Sequence, residues 1–90
     1  MDDQELIDEL AELFKDIPDI QKLPLVRMIS SLDVAGIDMW SALETSKAIW
    51  IMLAEYSKYF EGPEFSAITI GALEPVYAFT VTIAEHLRKK

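Results

Sequence analysis

Apolar residues recur at intervals of three and four along most of the chain. Between Glu5 and Asp16 they are Leu6, Leu10, Leu13 and Phe14, with Ile7 beside them and acids on many of the remaining positions. That spacing predicts an amphipathic helix over about 4–16. Asp2, with Glu5 three residues on, makes a capping box at its start. Pro18 pushes Ile17 toward an extended backbone and ends it. Leu25, Val26, Met28, Ile29 and Leu32 predict a second short helix over about 24–34. Pro24 suits its first turn and Gly36 its stop.

Asp38 and Ser41 compete for the next N-cap, and Ser41 with Glu44 forms a second capping box, so the third helix is predicted over about 41–60. Gly62-Pro63 punctuates its end. Ala42, Ile49, Met52, Leu53, Tyr56, Tyr59 and Phe60 form its predicted core stripe. The opposite line is Trp40, Glu44, Lys47, Ile51, Glu55 and Lys58. Its oppositely charged pairs at i, i+3 mark a solvated face. Trp40, Trp50 and Ile51 fall at or near that wet side, an odd place for them. The fourth helix is predicted over about 64–88, and Arg88, Lys89 and Lys90 suit the negative end of its dipole.

The fold expected is all-α: a compact bundle of four helices, two short and two long and antiparallel, in a single domain over 1–90. Residues 1–17 are expected to be semi-independent, because Pro18 and an abrupt change of charge set them apart.

Within the fourth helix, Glu74-Pro75 interrupts a long apolar run. Ala67, Gly71, Glu74, Ala78, Thr82, Glu85 and Lys89 share one line when the helix is followed by threes and fours. Every member is small, polar or charged, so Glu74 belongs to a ridge of its own and leaves the apolar faces intact. Pro75 clashes with the carbonyl of the residue four back. That residue is Gly71, which relaxes more easily than any other, so a kink at Pro75 is expected rather than two helices. The ridge faces water or a close-packed helix, or else Glu74 points into a cleft beside the kink and meets a cation or amine. A membrane span over 65–84 conflicts with Glu74 and Pro75.

Charge changes the picture of partners. The net charge is −8, and residues 1–20 hold eight acids against Lys15 alone. Direct nucleic-acid binding, which needs clustered Lys and Arg, is not expected. A basic partner surface is the natural complement. The acidic N-terminus does not read as a signal peptide, and the compartment expected is the cytoplasm.

Candidate chemistry is sparse. The chain has no Cys, one His (His86) and three Gly. Thiolate chemistry, a two-His helical metal site and a phosphate-binding Gly-rich loop are therefore not expected within one chain. No nucleophile turn accompanies His86, which reads as a surface residue near a basic end. Neither an enzyme, a cofactor nor a metal is expected.

Trp40, Trp50, Tyr56, Tyr59, Phe60, Phe65, Tyr77 and Phe79 crowd the last two helices as core, pocket lining or interface. More than half the residues are apolar, a surplus for so small a chain. The leading expectation is a non-enzymatic protein–protein interaction module, either a homo-oligomer or a small accessory subunit. Its interface residues would be Leu6, Leu10, Leu13 and Phe14, docking into a basic-rimmed groove, with Trp40, Trp50 and Ile51 as anchors. The alternative is a bundle that binds a small apolar or cationic ligand beside the kink, with Glu74 and Tyr77 as contacts. A further alternative is an acidic inhibitor that mimics nucleic acid.

Overall fold

Local chemistry starts and stops most of the helices. In the computed structural model, the backbone is described at residues 2–59 and 63–90, and side-chain environments at 2–59 and 71–90. The Asp2 carboxylate accepts the Glu5 N–H at 2.8 Å, and α1 follows over Asp3–Glu12. It tightens into a single 3-10 turn over Leu13–Asp16 before Ile17 becomes extended, as the restriction before Pro18 requires.

α2 spans Asp19–Val34 and so begins five residues before the expected start. Pro18 supplies the entry, and Pro24 lies inside the helix. A proline there removes one backbone bond near the N-terminus, a loss that a 16-residue helix tolerates.

α2 closes in a Schellman motif. The Ile37 N–H reaches the Leu32 carbonyl and the Gly36 N–H that of Asp33, both at 3.0 Å. Gly36 takes a φ of +96° to permit this, a conformation that L side chains avoid. α3 covers Met39–Ser57. Asp38, not Ser41, caps it, accepting the Trp40 and Ser41 N–H groups at 2.9 and 3.1 Å. α4 runs without interruption over Pro63–Arg88, with Pro75 inside it.

The four helices form an all-α bundle with α4 at its centre. α1, α2 and α3 all pack on α4. α3 and α4 are antiparallel: Trp50 meets Tyr77, Ser46 meets Thr80, and Met39 and Leu43 share a cluster with Ile83 and Ala84. Residues 80–85 of α4 are all buried, as befits a helix enclosed on every side. The hydroxyls of its buried threonines among the described residues are satisfied within the helix. Thr80 and Thr82 each donate to the carbonyl four residues back at 2.7 Å, and Thr80 also hydrogen-bonds Ser46.

The face that α3 buries differs from its apolar stripe. Met39, Leu43 and Ser46 are buried, with Trp50, Leu53, Ala54 and Ser57 half-covered behind them. Ile49, Met52, Tyr56 and Tyr59 are exposed. Ile49, Met52, Tyr56 and Tyr59 of the expected stripe therefore point away from the main core, whereas its Ala42 and Leu53 are half-buried. The cause is pairing with α4, whose small Thr80 and Ala84 admit Ser46 and Leu43 at close range. Phe60 and Gly62 lie outside the described residues, as do the side chains of Phe65, Ala67, Ile68 and Ile70.

Ion pairs fasten the C-terminal end of α4. Arg88 spans Glu12 of α1 at 3.0 Å and the buried Glu85 at 2.5 Å. His86 and Lys90 both approach Asp33 of α2 at 2.7 Å. His86 is thus half-buried against α2 rather than a plain surface residue. The Lys90 and His86 hydrogen bonds hold the Asp33 carboxyl below the ordinary aspartate range, against a smaller opposing effect of burial.

Candidate functional site

α2 and α3 each pack on α4 far more than on each other. They leave the Gly36–Asp38 turn as two arms of a V, and α4 lies beneath the opening. The result is an open groove of about 1170 Å³. Ile20, Pro24, Leu25 and Met28 of α2 form one wall. Asp38, Ser41, Ala42, Thr45 and Ile49 form the other, with Ile37 at the apex. Gly71, Glu74, Pro75, Val76, Ala78 and Phe79 of α4 make the floor.

The groove is apolar and bare. Ile20 is 85% exposed, and Met28, Ile37 and Ile49 also face solvent. The helical repeat carries the Ile49 line on through Met52, Tyr56 and Tyr59, so the exposed stripe of α3 continues the groove wall toward the end of that helix. Glu74 and Asp38 are the charged groups among the described residues that line it.

The residues singled out from sequence fall in three places. Leu10 is buried in the main cluster, and Leu6, Leu13 and Phe14 are half-buried against their own chain. Trp40 and Trp50 are half-buried against the same core. Trp50 also meets Tyr77 edge-on, with ring centroids 5.2 Å apart. Ile51 is exposed beside Trp50 in a shallow depression of about 360 Å³ on the side of α3 away from the groove. Glu74 lies in the groove, whereas Tyr77 packs on Trp50 and does not line it. Burial, followed by the nearby Asp16 carboxylate, raises the Tyr77 phenol above its ordinary value.

Sequence reasoning missed Ile20, Met28 and Ile37, and read Ile49 as core. Ile20 had a signal, since helical spacing links it to Pro24 and Met28. Placing the helix start at Pro24 concealed it.

The arrangement offers apolar contact with an acidic edge. Among the described residues, no three His, Cys, Asp or Glu side chains gather to hold a metal ion. Nor, among them, is any helix long and apolar enough to cross a membrane. Comparison with protein-family models, curated proteins and solved structures finds no match.

Proposed function

We propose that this chain is a non-enzymatic protein–protein interaction module whose α2–α3–α4 groove is covered by another chain. The observation that carries the reading is the apolar surface from Ile20 across the groove to Ile49, with the exposed Met52 next along α3, which the described residues leave uncovered. Monomeric proteins rarely leave such contiguous surface without a use. The groove between helices suits an amphipathic helix laid lengthwise. The cysteine-free sequence suits a reducing compartment, and the cytoplasm is the one proposed.

The test is light scattering coupled to size exclusion, together with binding of an apolar fluorescent dye. The wild-type chain should self-associate or bind the dye. A variant carrying Ile20→Gln, Ile49→Gln and Met52→Gln should do neither while keeping its helical circular dichroism. A dye-silent wild-type monomer, indistinguishable from that variant, would overturn the reading.

A small-ligand site is the second reading, and the presence of Gly71, Glu74 and Pro75 in the groove favours it. Pockets for small molecules usually occupy about 300–1,000 Å³ and enclose their ligand, so this larger open trough ranks it below the first. Native mass spectrometry that reveals a bound small molecule, released by Glu74→Gln, would reverse that order.

A further inference from the structure

We infer that the groove receives a basic amphipathic helix from another protein, lying against α4 at Gly71 with its cationic flank toward Glu74 and Asp38. This inference rests on the docking role proposed above and adds the chemistry of the partner.

Among the described residues, the charged groups that line the groove are of one sign. Glu74 and Asp38 are its ionisable groups among the described lining residues. Asp38 caps α3 through Oδ1. No Lys or Arg is among the described lining residues, although Arg27 adjoins the wall residue Met28 on α2. Lys22 pairs with Asp19 and lies over the Phe14 ring. Lys47 borders the depression on the other side of α3. Arg88, Lys89 and Lys90 hold Glu12, Glu85 and Asp33 at the far end of α4. An incoming helix therefore meets apolar walls and an acidic edge. A second copy would bring the same two acids and another net charge of −8, and like charges brought together oppose association.

The floor is shaped for close approach. Among the described residues, nothing stands within 4 Å of where a Gly71 Cβ would lie. The missing side chain of Gly71 leaves the floor low where a partner backbone would rest.

Two synthetic amphipathic helices test the inference. Both carry leucines at i, i+3, i+4 and i+7; one is flanked by lysines and the other by glutamates. Each is titrated into the full chain by fluorescence anisotropy. Exposed charge pairs are each worth up to about fivefold, so attraction and repulsion at two acids together predict a preference of roughly tenfold for the lysine peptide. Glu74→Lys should narrow or reverse that preference. Gly71→Leu should weaken the lysine peptide at least about tenfold, since a side chain would fill the space against which a helix packs. Ile49→Glu on the facing wall provides a second block, and circular dichroism checks that both variants stay folded.

Equal binding of the two peptides, each blocked by Gly71→Leu, would overturn the basic-partner assignment and leave the docking role standing. Lysine-peptide binding untouched by both blocks would overturn the groove as the locus, pointing to the acidic α1. Self-association lost on Gly71→Leu would make a second copy the occupant. Binding of neither peptide would overturn the inference, whereas the dye experiment decides the docking role separately.

Discussion

Leu43 and Met52 sit on the same helix and differ in what covers them. Leu43 is fully buried, whereas Met52 is 68% exposed. Truncating Leu43 to alanine removes a buried side chain and leaves a cavity between α3 and α4, at a cost of about 2–5 kcal/mol. For Met52→Ala, about a third of the side chain is covered. Full burial of such a side chain contributes roughly 1.5–3 kcal/mol, so the covered third is worth about 0.5–1 kcal/mol. Alanine recovers a few tenths of that through helix propensity. Expected total stability for a chain of this length is about 5–13 kcal/mol. Leu43→Ala thus removes a large share and Met52→Ala a small one. A loss of about 3 kcal/mol also lowers Tm by roughly 12–24 °C in a domain of this size. Urea titrations followed by circular dichroism and tryptophan fluorescence, at two protein concentrations, measure both values. Equal costs, or a larger cost at Met52 that does not depend on concentration, would mean that α3 is rotated and its apolar stripe is core. The bare groove wall, and the docking role built on it, would fall with that result.

Gly36→Ala should cost about 1–2 kcal/mol, because alanine at positive φ is strained although the space around Gly36 is open; an unchanged urea midpoint would refute the Schellman argument. Asp38→Ala should cost about 1 kcal/mol and Asp38→Asn almost nothing, since asparagine caps as well; equal losses would show that the charge, not the cap, matters. Asp33 has a folded-state value below its unfolded one. Its contribution is therefore complete above about pH 4 and is lost as pH falls through the lower folded value. Asp33→Asn should flatten that acid limb of a Tm-against-pH curve while losing stability at neutral pH, and an identical limb in the variant would remove Asp33 as its source.

The elements were legible where single residues decide the backbone. Asp2, Pro18 and Gly36 each act within a few positions, and each acts as its chemistry predicts. Pro24 misled because proline marks a first turn more often than an interior, and only the entry at Pro18 and the packing of Ile29 reveal the longer α2. The buried face of α3 was illegible for a different reason. It runs through Ser46 and Ser57, whose hydroxyls lower its apparent apolarity, while the exposed face carries Ile49, Met52 and two tyrosines. Ser46 joins the interior because Thr80, 34 residues away, supplies its partner. No periodicity within α3 reports that pairing. His86 and Asp33 are 53 residues apart and pose the same difficulty. For the candidate site, Glu74, Gly71 and Pro75 were readable as a group, because they lie close together along one helix, and all three are on the groove floor. The walls facing them come from two other helices and emerge only in three dimensions.

The bareness of the groove follows from how its walls are fastened. α2 is tied to α4 by Asp33 with His86 and Lys90, and by Leu25 beside Ala78 and Val81. α3 is tied to the same helix by Ser46 with Thr80 and by Leu43 beside Ile83. Gly36 and Asp38 fix the turn between the arms. Closing the V would strain one of these sets, and leaving the buried Ser46 hydroxyl unpaired would cost about 1–3 kcal/mol, which offsets much of what covering the exposed wall side chains recovers. Internal collapse is therefore an expensive way to hide Ile20, Met28 and Ile49. The proposed helix from another protein would cover them without disturbing any of those ties, passing Gly71, where α4 has no side chain, one turn from Glu74.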